Sequence, residues 1–208
     1  MISNSFSAVL FAAIIFATAT PTTAVAIDLN PFSAIKGAVE AVAEDRSSGD
    51  IAKDLEIKAT ITTKVIDKMG GDVISISADV YEQDVMLTGA VESSKQKAEA
   101  GRLASSVKDV KKLYNEIIVI KDIDKDKGAA ENFVDDSVIE GKINALLLDG
   151  KGVNVTNFRW RSVGGNVFLF GRALSKAERD KATAIVKGIK NVTAVTSRGK
   201  VRAKERSP

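Results

Sequence analysis

Two sets of side chains in this 208-residue chain are spaced for chemistry. The first is basic and aromatic: Arg159 and Arg161, then Phe168, Phe170 and Arg172, then Arg198, Lys200 and Arg202 recur at alternate positions. In extended chain each run falls on one face of a sheet, which suits an anionic surface or polymer. The second set is acidic: Asp122, Asp124 and Asp126, followed by Asp135 and Asp136. Acid–base catalysis needs carboxylates that converge in a cleft. These lie in a charged stretch and at an expected helix start, where solvation and N-capping account for them. The run Asp124-Lys125-Asp126-Lys127-Gly128 superficially follows a calcium loop, but the ligand spacing and the closing Glu are missing.

Other chemistry is excluded by composition. The chain has no His and no Cys, which removes disulfides, thiolate nucleophiles, the usual zinc sites and the Ser-His-Asp and Cys-His relays. No Walker motif or GxSxG occurs, and Gly164-Gly165-Asn166 reads as a hairpin turn rather than a phosphate cradle. The expectation is a binding protein with no catalytic residues, no metal and no cofactor.

The elements that position the basic and aromatic residues emerge from an internal repeat. Sliding the chain by 82 residues aligns Asp54–Ile120 with Asp136–Arg202 without a gap, giving 14 identities in 67 positions. The matches fall on apolar-periodic, glycine and cap positions, among them Ile57/Ile139, Ile61/Ile143, Gly70/Gly152, Val85/Val167, Leu87/Leu169, Gly89/Gly171, Ser93/Ser175 and Ala100/Ala182. In the first copy Ile57, Ile61 and Val65 form a helical stripe ended by Gly70-Gly71. Ile76, Ala78 and Val80 alternate, Glu82-Gln83-Asp84 turns, and Val85, Leu87 and Gly89 alternate again as a hairpin. Ser93 caps a second helix whose inner stripe is Ala100, Leu103, Ala104 and Val107, and a strand over 113–120 closes the unit. The second copy repeats this order through Phe158, Trp160, Val167 and Leu169, then Ser175, Ala182, Ile185, Val186 and Ile189. The fold class expected is α+β: two tandem α-β-β-α-β units, each a three-stranded mixed sheet with two helices on one face. The units span 54–120 and 136–203, with a charged linker at 121–135 and a basic tail at 204–208.

Ahead of them, residues 1–27 carry no charged side chain, and residues 6–20 form an apolar block followed by Pro21 and Ala24-Val25-Ala26. This reads as a secretory signal over 1–26, cleaved before Ile27, with an uncleaved anchor as the alternative. Without a Cys at the cleavage point the product is not a lipoprotein, and an exported protein without disulfides fits the bacterial periplasm. Residues 27–53 read as an N-terminal helix and linker, with Ile35, Val39 and Val42 on one side, strapped on the first unit.

These residues resemble the BON domain (bacterial OsmY and nodulation). Val85-Met86-Leu87-Thr88-Gly89 and Val167-Phe168-Leu169-Phe170-Gly171 carry the resemblance, with Tyr114-Asn115-Glu116-Ile117 and Ile61-Thr62-Thr63-Lys64-Val65, over about residues 45–202. The resemblance implies an exported envelope protein associated with osmotic or envelope stress and with phospholipid or outer-membrane contact. Ser197 departs from it where an Asn is expected, and the lipobox Cys of lipoprotein members is absent, so the resemblance does not extend to permanent tethering.

Charge separates the two copies. Residues 54–120 hold nine Lys and Arg against eleven Asp and Glu, a net −2, whereas residues 136–202 hold thirteen against five, a net +8. If Phe158, Trp160, Val167 and Leu169 face the helices, the other face of the second sheet shows Arg159, Arg161, Phe168, Phe170, Arg172, Arg198, Lys200 and Arg202. The same face of the first shows Ser75, Ser77, Asp79, Met86, Thr88, Glu116 and Ile118. Trp160 then belongs to the core. The partner expected is an anionic phospholipid or outer-membrane surface, with the basic residues near the headgroups and the two Phe inserted shallowly. Alternatives are an envelope protein, a chaperone-like contact or an anionic cell-wall polymer. Nucleic acid is disfavoured by export. A further possibility is that Phe168 and Phe170 are covered by the first copy, by the strap or by a second subunit.

Overall fold

A computed structural model describes residues 45–70, 76–119 and 129–202, with backbone only for 129–134. The expected signal, the strap helix, the Asp122–Asp126 run and the basic tail lie outside the described residues. No described helix is long and apolar enough to cross a membrane.

The first copy opens with α1 (Ser48–Met69). Ser47 caps it by accepting the Asp50 N–H at 3.1 Å, and Gly70, at φ +81°, ends it by returning its N–H to Ile66 O. The helix therefore begins within the stretch read as linker, and its buried residues are Asp54, Ile57, Ile61 and Val65. β1 (Ser77–Tyr81) pairs antiparallel with β2 (Asp84–Thr88), and Glu82 and Gln83, at φ +51° and +63°, make the turn. β3 (Ala90–Val91) continues β2 beyond Gly89. After α2 (Ser94–Ser105), β4 (Lys112–Asn115) and β5 (Ile118–Val119) run parallel to β2 and β3.

The second copy has the same order. It comprises α3 (Ala129–Asp149), a 3-10 turn (Val155–Asn157), β6 (Phe158–Val163), β7 (Asn166–Ala173), α4 (Lys176–Lys187), β8 (Ala194–Ser197) and β9 (Lys200–Val201). β6 pairs antiparallel with β7, and β8 and β9 lie parallel to β7. α3 starts inside the expected linker, so Asp135 and Asp136 stand within a helix and not at its start.

Each copy encloses its own core between its helices and one sheet face. Ile57, Ile61, Val65, Val85, Leu87, Ala100, Leu103 and Ala104 fill the first; Ile139, Ile143, Leu147, Phe158, Trp160, Val167, Leu169, Ala182 and Val186 fill the second. Trp160 is 5% exposed and belongs to this core. Gly171 is at φ +105°, and a Cβ there would sit 2.1 Å from Asn157 O, so the strand can kink past the turn only without a side chain.

A carboxylate in the first helix of each copy binds the hairpin turn. Asp54 accepts the N–H groups of Glu82 and Gln83 at 2.7 and 2.8 Å, the Gln83 side-chain amide at 2.9 Å and Arg46 at 2.5 Å. Asp136 accepts Gly164 N–H at 2.7 Å, Gly165 N–H at 3.0 Å and the Ser162 hydroxyl at 2.6 Å. Asp136 is thus a turn clamp, correcting the N-cap expectation: a left-handed two-residue turn aims its N–H groups outward, and a helix carboxylate at the right height receives them.

Candidate functional site

The second face of each sheet meets the other. Tyr81 and Met86 of the first copy and Phe168 and Phe170 of the second form a separate buried cluster, joined by the half-buried Tyr114, Ile118 and Val163. The Tyr114 and Phe170 rings meet edge to face at 6.1 Å. The molecule is layered helices, sheet, sheet, helices, and the basic and aromatic platform read from the sequence is covered by the first copy. The alternation placed these residues on one face correctly; what alternation does not encode is which surface that face meets.

Ion pairs surround the aromatic centre. Arg161 donates to Asp79 at 3.1 and 3.3 Å. Arg172 and Arg202 both donate to the same oxygen of Glu82, each at 2.7 Å. Lys200 lies 2.9 Å from Asp84, and Arg198 donates to Glu116 at 2.7 Å. Arg159 donates to the carbonyls of Thr156 and Phe158 and stands over the Tyr81 ring at 5.5 Å. All eight residues of the expected platform therefore sit in the joint, six at its cations and two at its apolar centre. Burial alone would push the Asp79 carboxyl up; the Arg161 charge, with Lys58, Arg159 and the Arg161 hydrogen bond, outweighs it and holds Asp79 below the ordinary carboxylate value.

The segment before α1 also crosses the joint. Asp45 donates its N–H to Asn157 Oδ1 at 3.2 Å, accepts the side-chain amides of Asn154 and Asn157 at 3.0 Å each, and gives its carbonyl to Arg172 at 3.0 Å. Tyr81 donates to Asn157 Oδ1 at 3.0 Å, and Arg46 stacks on Tyr81 at 4.3 Å. Sequence reasoning missed Tyr81, although it shares the parity of Ser77 and Asp79 on the same strand. It read Glu82 and Asp84 only as turn residues, and for Asp45 and Asn157 no periodicity offered a signal.

Outside the joint, each first helix keeps apolar residues in solvent. Val138, Leu146 and Leu148 of α3 are 48%, 45% and 64% exposed, and Leu55 and Ile66 of α1 are 62% and 41% exposed. At 100° per residue, Val138, the exposed Ala145 and Leu148 form a line opposite the buried Ile139, Ile143 and Leu147. Lys142 is exposed on the same helix, and Lys176, Lys181, Lys187 and Lys190 are exposed on or just after α4, which packs beside it. Among the described residues no group of three or more metal-ligating side chains is placed to hold an ion. A cavity of about 320 Å³ at the joint's edge is lined by Lys97, Glu116–Val119, Asn166 and Phe168 and holds no convergent carboxylates.

Comparison with known proteins agrees with this duplication. The BON domain profile matches residues 54–121 and again 135–203. A protein of Anaplasma centrale described as an uncharacterized protein in the gshII 5' region is 36% identical over 123 residues, covering 59% of this chain and 79% of that protein. Osmotically-inducible protein Y of Escherichia coli K12 is 27% identical over 147 residues, covering 71% of this chain and 72% of that one. A solved structure of CdsD, a structural protein of the type III secretion system of Chlamydia trachomatis, aligns over 70% of this chain and 92% of its own length at 13% identity, with a TM-score of 0.29. Two matched copies, each built as a helix, a hairpin, a second helix and a last parallel strand, place the chain in the BON-domain family as a two-domain member similar to Osmotically-inducible protein Y.

Proposed function

We propose that this is a periplasmic, non-enzymatic protein of the osmotic-stress and envelope class that docks reversibly on anionic phospholipid. Its similarity to Osmotically-inducible protein Y supports the stress role, and the uncharged apolar leader at 1–26 supports export. The observation that carries the docking is the outer face of the second copy. With both sheets closed on each other, an external surface meets the helices. There, Val138, Ala145 and Leu148 face solvent on α3, and the layer formed by α3 and the packed α4 exposes Lys142, Lys176, Lys181 and Lys187 against the carboxylates of Asp149 and of Asp180, which pairs with Lys176 at 2.7 Å. An apolar line on a helical layer whose exposed charge is net basic suits a helix lying in a bilayer interface, and each unpaired cation near an anionic headgroup contributes about 1 kcal/mol.

The test is vesicle co-sedimentation of residues 27–208, comparing anionic with zwitterionic lipid at low and at physiological salt. The expected result is binding confined to anionic vesicles and weakened by salt. Replacing Val138 and Leu148 together by Glu should weaken it by at least about tenfold, since both are exposed and their loss leaves the core intact. Binding unchanged in that variant overturns the helical contact. Absence of binding to any vesicle overturns the lipid reading and leaves an envelope protein or cell-wall polymer as the partner.

A further inference from the structure

We propose that the first copy acts as an intramolecular stand-in for an anionic bilayer, masking on the second copy a basic and aromatic face that is a stronger lipid contact than the helical one. The closed joint is then an autoinhibited state. This inference takes the ligand class from the lipid reading above and assigns it a second, hidden surface.

The first support is the chemistry of the occupant. Five of the six cations on that face, Arg161, Arg172, Arg198, Lys200 and Arg202, end on carboxylates of Asp79, Glu82, Asp84 and Glu116. Anionic oxygens laid out over one sheet face are what a layer of phosphate headgroups also presents, and guanidinium groups take phosphate and carboxylate alike. Phe168 and Phe170 stand among these cations, placed to enter the headgroup region once uncovered.

The second support is that the joint is built to be competed for. Arg198, Lys200 and Arg202 have side chains 43%, 36% and 50% exposed, so a third party reaches them at the rim without prior opening. Inside, the joint is imperfectly matched: Arg172 Nε and Thr88 Oγ1 are buried with no hydrogen-bond partner. Arg172 itself is 3% exposed. Around the apolar centre of Tyr81, Met86, Phe168 and Phe170, the buried pairs of Arg161 and Arg172 and the orphaned polar atoms hold register well but gain less than apolar contacts of equal area would. An anionic surface meeting the rim cations first can displace the carboxylates one pair at a time.

The experiment uses residues 27–208 carrying Asp79→Lys and Glu82→Lys, which place like charge against Arg161, Arg172 and Arg202 and leave the helical face untouched. Opening is read by peroxide oxidation of Met86, which is fully buried in the joint, with mass spectrometry, while Trp160 emission reports that the second core stays folded. The expected result is faster Met86 oxidation and at least about tenfold tighter binding to anionic vesicles, a gain that persists when Val138→Glu and Leu148→Glu are added. A milder Glu82→Gln variant should move both readouts the same way by less, which covers failure of the double variant to fold. Met86 as protected as in the wild type overturns the latch, and so does an opened joint without tighter binding or a gain lost with the helical substitutions. If the wild type binds no vesicle while the opened variant does, the helical contact falls and the masked face stands. If neither binds, both fall.

Discussion

The two copies share their skeleton and differ in their charge, and the difference falls on one face of each sheet. Positions that match across the 82-residue repeat carry the fold: Ile57 and Ile139 or Leu87 and Leu169 in the cores, Ser93 and Ser175 as N-caps, Asp54 and Asp136 on the hairpin turns. Positions that differ carry the joint. Asp79 stands opposite Arg161 in the alignment of the copies, Met86 opposite Phe168, Thr88 opposite Phe170 and Glu116 opposite Arg198, so one copy of the sheet face is acidic and the other basic. A duplicated unit of this size has a modest core of its own. Giving the two sheet faces opposite charge makes each the ready partner of the other and disfavours pairing of like copies.

The largest way to break that pairing is at Glu82, a carboxylate held by both Arg172 and Arg202. Glu82→Ala leaves Arg172 buried without its main partner. The expected cost is about 3 kcal/mol, at the low end for breaking a buried pair because the Asp45 carbonyl still receives Arg172. Replacing Glu82 and Arg172 together by Met should cost within about 1 kcal/mol of nothing, since desolvation is removed along with the attraction. Urea unfolding followed through Trp160 measures both. A Glu82→Ala cost below about 1 kcal/mol would mean that the charges decorate the joint without holding it.

How far the sequence reveals this architecture depends on the kind of regularity involved. Helical and strand periods are local, so the α-β-β-α-β order, the inner stripes and the parity that sorts Arg161 from Trp160 could all be read directly. The joint depends on which surface a face meets, and that is a property of the pair of copies. Charge of opposite sign on equivalent faces was the available clue, since −2 against +8 already describes two surfaces that attract. The clamps were hidden for another reason. An Asp within a helix reads as solvated until the turn it reaches is placed in space, and that turn lies about 28 residues away in each copy. Asp45 is further still from its partners, at 109 and 112 residues from Asn154 and Asn157.

The clamps give an intermediate effect that tests what the copies share. Asp54→Ala and Asp136→Ala should each cost about 2 kcal/mol, because each leaves two turn N–H groups without their charged acceptor. Asp54→Ala should be the worse of the two, since it also removes the carboxylate from the buried Arg46 and since its turn is held at positive φ by Glu82 and Gln83 where the other copy has Gly164 and Gly165. Parallel denaturation curves of the two variants check this. Equal costs would show that neither turn strain nor the Arg46 pair adds to the clamp, and negligible costs would show that solvent replaces the carboxylate.

The smallest effect concerns the place where the copies differ inside their cores. In the first, Asn115 donates its amide to the Lys97 carbonyl of α2, and Gly101 makes room, since a Cβ there would lie 2.7 Å from the amide nitrogen. In the second, Ser197 replaces that Asn and its hydroxyl is buried without a partner, while Thr183 stands where the glycine was and bonds back to Arg179 O at 2.8 Å. The shorter side chain on the strand and the larger one on the helix are one exchange of volume between facing elements. Ser197→Asn alone should therefore destabilise by about 1 kcal/mol through crowding against Thr183. Thr183→Gly alone should also cost about 1 kcal/mol, a few tenths of it through helix propensity and the rest through the lost packing of its half-buried side chain. The double variant should recover part of the sum, with a coupling near 1 kcal/mol, because it rebuilds the arrangement of the first copy. A double-mutant cycle by thermal unfolding measures it, and strict additivity would mean that the two positions drifted independently.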